Sequence, residues 1–148
     1  MSEKIIEIEN VFFKVFIGEI LDSEKERAGF RVYLYVKWND TFFKVRKVRF
    51  IGRVADITLR ERFTDLLIVD PTGEIIVRGW DERKKLLDKF DINDLVEVFG
   101  TIRVYGDEIY INPLITQKVL EENAEKRKKE IEENRKYILE VYRMKMNA

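Results

Sequence analysis

The sequence predicts an all-β barrel of five short strands with one short helix between the third and fourth. A β-hairpin extension precedes the barrel and a long C-terminal α-helix follows it. Three patterns lead there: strict alternation over residues 30–38, short apolar runs separated by turn residues over residues 47–115, and a final stretch, 117–148, with neither Gly nor Pro.

The extension comes first. In "FRVYLYVKW", Phe30, Val32, Leu34, Val36 and Trp38 alternate with Arg31, Tyr33, Tyr35 and Lys37, the period of a strand with two unlike faces. Asn39-Asp40 makes a turn, and "TFFKVRKVRF" returns as the second strand of a hairpin. The barrel then opens with "KVRFIGRVADIT", where Gly52 permits the bend that lets one strand serve two sheets. "RFTDLLIVD" is its second strand, Asp70-Pro71-Thr72-Gly73 a tight turn, and "EIIVRGW" its third. Next, "DERKKLLDKF" changes period: a helical turn or two capped by Asp81, with Leu86, Leu87 and Phe90 on the apolar side. "DLVEVFGTIRVY" is the fourth strand, Gly106-Asp107 a turn, and "EIYINPLI" the fifth. Three strands, a short helix and two strands is the order of an OB-fold barrel. The expected divisions are an extension over 1–45, an OB-fold domain over 46–116 and a C-terminal oligomerisation helix over 117–148.

In that last segment Val119, Leu120, Ala124 and Ile131 are sparse apolar groups among charges. From Tyr137 onward they crowd: Ile138, Leu139, Val141, Tyr142, Met144 and Met146 follow. Apolar groups on more than one face fit a helix packed against other helices.

Composition narrows the function. The chain of 148 residues has no Cys and no His, so disulfides, thiol chemistry and a histidine base are excluded, and a metal site would need an all-carboxylate shell. There is no Walker lysine loop and no nucleophile with a base partner. Asp56, Asp65 and Asp70 are scattered acids, of which Asp70 belongs to a turn. The sequence therefore reads as a non-enzyme that calls for no metal or cofactor. No apolar run reaches membrane-spanning length, and "MSEKIIEIEN" lacks the basic start and cleavage site of a signal peptide, which places the chain in the cytoplasm. Charged residues make up 38% and there is a single glutamine, Gln117, a bias of thermophile proteins.

The net charge of zero hides an uneven distribution. Residues 41–60 hold six basic side chains against one acidic, a balance of +5, and residues 61–112 hold seven against twelve, a balance of −5. Lys44, Arg46, Lys47, Arg49 and Arg53 form a basic run that suits steering of an anionic strand or, equally, a solvated strand face.

Strand parity selects the candidate site. In the fourth strand Val96, Val98, Gly100, Ile102 and Val104 share an apolar, inward face, leaving Glu97, Phe99, Thr101, Arg103 and Tyr105 outward. In the third, Ile75, Val77 and Gly79 point in and Ile76, Arg78 and Trp80 point out. Trp80 and Tyr105 thus lie outward, each two residues after an arginine. Aromatic rings beside guanidinium groups are the chemistry that binds single-stranded nucleic acid: bases stack on rings and the cation meets phosphate. A tryptophan at a strand end also serves to plug a barrel, and Phe63 and Phe99 fit packing roles.

These residues carry a resemblance. "VRFIGRV", "VDPTGEIIVRGW", "LVEVFGTIRVY" and "YILEVYRMKM", in this order, resemble the middle subunit of replication protein A and its archaeal and telomere-capping relatives. The resemblance implies an OB-fold subunit of a single-stranded DNA-binding complex in replication, repair and recombination. It implies that Trp80 and Tyr105 stack on bases; the strand faces add Arg78 and Arg103 as phosphate contacts, and Phe63, Arg53 and Arg49 complete the expected nucleic-acid-binding set. It also implies a three-helix bundle with the large and small subunits of a heterotrimer, through Ile131, Ile138, Val141, Tyr142 and Met144. The helix is several turns longer than the family's, with a charged insert between Glu121 and Lys136. The hairpin and composition are closest to archaeal forms, which implies an archaeal protein, nucleoid-associated when bound. A scaffold subunit with little DNA contact, for which Trp80 would be buried, and an RNA-binding OB module are the competing readings.

Overall fold

The computed structural model describes residues 4–147, and one long strand organises it. Strand β6 (Lys47–Leu59) pairs with β9 (Leu95–Tyr105) through its first half and with β7 (Phe63–Asp70) through its second. Arg53 sits at the changeover, opposite Val69 on one edge and Leu95 on the other. The strand can bend there because Gly52 has no side chain. A Cβ at that position would lie 2.5 Å from the Ile68 side chain and 2.8 Å from the Val69 carbonyl oxygen. A bulge between Val54 and Asp56 adds to the bend.

The barrel runs β6-β7-β8-β10-β9 and closes back onto β6, with β8 (Gly73–Trp80) and β10 (Glu108–Lys118) its remaining strands. Only the β8–β10 pairing is parallel within this closed ring. The inward set is as the alternation predicts: Ile75, Val77, Val96, Val98 and Ile102 are buried. Between β8 and β9 a 3₁₀ turn (Asp81–Lys84) leads into α2 (Lys85–Asp88), which buries Leu87 and brings Phe90 into the core. Asp81 is not the cap. It is the first residue of the turn, with φ of +50°, and its carboxylate faces Arg62.

The N-terminal hairpin grows into a four-stranded sheet. Strand β4 (Arg31–Trp38) pairs with β5 (Thr41–Val45) around Asn39, whose φ of +57° suits a tight hairpin turn. Strand β3 (Glu24–Ala28) adds antiparallel to β4, and β1 (Lys4–Ile8) adds parallel to β5. Phe30 departs from the predicted alternation: it sits in the turn between β3 and β4 and is 97% exposed. Val32, Leu34, Val36, Phe43 and Val45 form one buried cluster with the barrel residues. The chain bends at Arg46, where the first boundary was expected, whereas β10 runs past the second to Lys118.

Short β2 (Phe13–Lys14) and α1 (Ile17–Asp22) tie the two sheets together. The Asp70 carboxylate accepts from the Ile17 amide at 2.8 Å and from the Thr72 amide at 2.7 Å, and Thr72 Oγ1 accepts from the Gly18 amide at 2.7 Å. The turn therefore does two things, reversing the chain and anchoring α1.

Helix α3 (Glu121–Met146) lies back on its own chain. Its inner stripe is Ala124, Arg127, Ile131, Arg135, Ile138 and Tyr142, at three- and four-residue spacing, and two of its three fully buried positions are arginine. Arg135 donates to both oxygens of Glu19 at 2.8 Å and to the Lys14 carbonyl at 3.1 Å, with its guanidinium 5.0 Å from the Phe13 ring. Arg127 pairs with Glu97. This corrects the expected partner interface: Ile131 is 3% exposed within its own chain, and Ile138 and Tyr142 pack partly against its core. Val141 and Met144 remain outward with Tyr137, lining a shallow groove.

Candidate nucleic-acid interface

The outer face of β7, β8, β10 and β9 carries the candidate residues Phe63, Arg78, Trp80, Arg103 and Tyr105. Phe63 and Trp80 are direct partners across β7 and β8, and their ring centroids lie 4.6 Å apart at 44°. Trp80 is nevertheless 39% exposed, because it ends its strand where the chain turns into the 3₁₀ segment. Gly79 permits that close turn: a Cβ there would meet the Arg83 carbonyl oxygen at 2.5 Å. Tyr105 ends β9 opposite Glu108, beside the Gly106-Asp107 turn, and is 77% exposed. The tryptophan that closes "VDPTGEIIVRGW" therefore has one face on Phe63 and part of its surface open.

Between these two positions lies an arrangement of charge and rings. Arg78 donates to the two oxygens of Asp65 at 2.7 and 2.9 Å and approaches Glu108 at 3.6 Å. Its guanidinium is 5.0 Å from the Phe63 ring and 5.1 Å from the Tyr110 ring. The Asp65 hydrogen bonds raise the Arg78 pKa, outweighing burial, so the group stays charged. Arg103 lies opposite Tyr110 on the neighbouring strand. From the β6–β7 loop, Arg62 lies over Trp80 at 5.9 Å and pairs with Asp81 at 3.3 Å, both side chains well exposed.

Strand parity thus brings Trp80, Arg78, Arg103, Tyr105 and Phe63 to one face. Arg49 and Arg53 lie elsewhere. Arg49 donates to Glu97 at 2.9 and 3.2 Å and covers the Phe99 ring at 4.4 Å. Arg53 donates to Glu121 at 2.6 and 2.8 Å and to the Asn93 carbonyl. Both serve the contact between the barrel and α3. Lys44 of the same basic run pairs with Glu7 and Glu26. Glu97 and Thr101, outward by parity, are buried: Glu97 pairs with Arg127 of α3 and accepts from Gln117 of β10, and Thr101 accepts from Asn112 of β10. Tyr110 and Arg62 belong to the face and were not selected. The alternation of Ile109, Tyr110 and Ile111 places Tyr110 outward by the same rule that selected Trp80. Arg62 lies in a loop, where no periodicity applies.

Among the described residues no cluster of acidic groups is arranged to hold a metal, and no helix is long and apolar enough to cross a membrane.

A closed five-stranded barrel with a short helix between its third and fourth strands is an OB-fold. Over most of its length the architecture is that of replication protein A-like chains. A chain of a replication protein A heterotrimer bound to single-stranded DNA superposes with a TM-score of 0.69 at 20% identity, over 87% of this chain and 98% of that one. A chain of the Stn1–Ten1 complex of S. pombe gives 0.71 at 16% identity, over 89% and 96%. Yeast replication protein A bound to single-stranded DNA gives 0.64 at 26% identity, over 84% and 89%. By sequence, an uncharacterized 18.7 kDa protein in the ribosomal RNA operon of Thermofilum pendens is 28% identical over 130 residues, 86% of this chain and 75% of that protein. An uncharacterized protein of Methanocaldococcus jannaschii is 33% identical over 97 residues, 66% of this chain and 40% of that longer protein. No family model matches the chain.

Proposed function

We propose that this chain is a DNA-contacting subunit of a replication protein A-like complex, holding single-stranded DNA on the outer face of β7, β8, β10 and β9. The observation that carries this reading is Trp80: supported on one side by Phe63, it keeps 39% of its surface open on the barrel face. A purely packing tryptophan has no such need. Bases stack on Trp80 and Tyr105, each stack contributing about 1–3 kcal/mol, and Arg103 and Arg62 supply cations for phosphate. The replication protein A and Stn1–Ten1 likenesses support DNA as the ligand and a multi-subunit setting. Tyr137, Val141 and Met144, spaced along the outer side of α3, are the surface for helices of partner subunits. The stretch from residue 61 to 112 is acidic overall, so the isolated chain binds weakly and gains affinity through its partners. Both sequence relatives come from archaea, which supports an archaeal, cytoplasmic setting. No catalytic step is part of this function.

The test is fluorescence anisotropy of a labelled oligo-dT with the purified chain at several salt concentrations, beside a folded Trp80→Ala, Tyr105→Ala double variant. The expected result is salt-dependent binding by the wild type and its loss in the variant. Binding by neither would leave the chain a scaffold, equal binding by both would place the DNA away from Trp80 and Tyr105, and a preference for RNA of the same sequence would make it an RNA-binding module.

A further inference from the structure

An arginine beside a stacking aromatic reads naturally as a phosphate contact, but the surroundings of Arg78 leave it little freedom for that. Both of its carboxylate-facing nitrogens are committed to Asp65, at 2.7 and 2.9 Å, and the pair is largely screened from solvent, with side-chain exposures of 16% and 14%. Glu108 stands 3.6 Å away on a third strand. A phosphate approaching this guanidinium would have to displace Asp65 or tolerate two carboxylates. The planar group lies instead between two rings, 5.0 Å from Phe63 and 5.1 Å from Tyr110, which is how guanidinium differs from ammonium: it is flat, weakly hydrated and stacks. Phe63 in turn carries Trp80 at 4.6 Å. The contacts form a chain from β7 and β8 across to β10: Trp80, Phe63, Arg78, Tyr110.

We propose that Tyr110 is a third base-stacking residue of the DNA site, and that Arg78 is the positioning residue that fixes it and Phe63 in one platform. The inference rests on the DNA-binding reading given above and adds to it a ring and a division of labour. Stacking is carried by Trp80, Tyr110 and Tyr105. Phosphate contact falls to the exposed Arg62 and to Arg103, which stands opposite Tyr110 and has no carboxylate within salt-bridge distance among the described residues. Arg78 acts through the rings it holds.

A phosphate contact and a strut respond differently to substitution. Each lost phosphate contact on a single strand lowers the slope of log affinity against log salt by roughly 0.7; a lost strut lowers affinity and leaves the slope alone. Lysine preserves the charge but not the plane. The experiment measures oligo-dT binding by anisotropy across a salt series for the full chain and five variants: Arg78→Lys, Arg78→Gln, Tyr110→Ala, Arg103→Gln and Trp80→Ala. Circular dichroism and thermal melts check each fold. Tyr110→Ala is expected to weaken binding roughly tenfold with the slope unchanged. Arg78→Lys and Arg78→Gln are expected to weaken it alike, again with the slope unchanged, whereas Arg103→Gln lowers the slope. If Arg78→Lys binds as the wild type does while Arg78→Gln loses slope, Arg78 is a phosphate contact and the inference fails. It fails equally if Tyr110→Ala is neutral while Trp80→Ala weakens binding, and the DNA-binding reading then survives. If the wild type does not bind, or Trp80→Ala binds as the wild type does, both readings fall. Should Arg78→Gln unfold, the comparison of Arg78→Lys with Tyr110→Ala decides.

Discussion

Arg127 of α3 and Glu97 of β9 form an ion pair in which each side chain is 4% exposed. Arg49 reaches the same carboxylate from β6 at 2.9 Å, and Gln117 donates to it at 3.3 Å. One acidic group thus joins the barrel to its helix. The two halves of the pair should not be equivalent when removed. Glu97→Ala leaves the buried Arg127 only the more exposed Glu130 of its own helix, at 3.5 Å, and costs about 3–5 kcal/mol, whereas Arg127→Met leaves Glu97 still held by Arg49 and costs much less. Chemical denaturation of the two variants measures the difference. Equal losses would mean that Arg49 does not hold Glu97.

The same carboxylate makes a pH prediction. Burial pushes the Glu97 carboxyl upward, but its hydrogen bond from Arg49 and the charges of Arg127 and Arg49 outweigh burial and hold it below the usual glutamate value. A group whose folded pKa is depressed contributes stability above its unfolded pKa, about 4.3, and loses it as pH falls through the folded value. Stability from this group is therefore level from neutrality down to about pH 5 and declines below about 4. The Glu97→Gln variant should lack that part of the acid decline. Denaturation midpoints of both proteins between neutral and acid pH provide the check.

These ionic contacts explain where the sequence was legible and where it was not. Alternation in β4, β8 and β9 reports a face buried in apolar surroundings, so Leu34, Val77 and Val98 were assignable. It could not report that Glu97 on the opposite face of β9 meets α3. Glu97 sits on a register that reads as solvated and is buried only because Arg127 and Arg49 arrive from segments distant in sequence. Helix α3 fails for the matching reason. Its inner stripe uses Arg127 and Arg135 at positions where helix burial is normally apolar, so the apolar groups from Tyr137 onward dominate the pattern and Ile131 reads as part of a partner surface. Strand β3 is "EKERA", exposed on nearly every position, and no periodicity marks it. At the proposed site, parity points to Trp80 and Tyr105, and the same rule extended to β10 points to Tyr110.

Ile131 and Met144 separate the two sides of α3. Ile131 is 3% exposed against its own chain, and Met144 is 67% exposed. Ile131→Ala should therefore cost about 2–5 kcal/mol, and Met144→Ala should fall within about 0.5 kcal/mol of the wild type. Equilibrium unfolding in urea reads both. A small effect at Ile131 would mean that α3 leaves the barrel in solution and that its inner stripe is free for partners. A large effect at Met144 would mean that the outer stripe is already covered, for example by a second copy of the chain.

Gly79 links the fold to the site. It is buried and points inward one residue before Trp80, and a Cβ there would stand 2.5 Å from the Arg83 carbonyl oxygen and 3.2 Å from the Lys84 amide nitrogen. Both obstacles are backbone of the 3₁₀ turn that redirects the chain after Trp80, so Gly79→Ala can be accommodated only by moving that turn. Overpacking of this kind costs about 1–3 kcal/mol, and the turn that moves is the one that sets Trp80 beside Phe63. Gly79→Ala should accordingly fold with a lowered unfolding midpoint and bind oligo-dT more weakly than its stability loss alone would produce at a temperature where it is fully folded. Gly100→Ala is the matched control, because its Cβ would meet the Asn112 carbonyl oxygen at 2.3 Å, on the barrel wall away from the turn. If both variants lose stability but only Gly79→Ala loses affinity, the placement of Trp80 by its turn is what the DNA senses. If affinity follows stability alike in both, the turn has no separate part in binding.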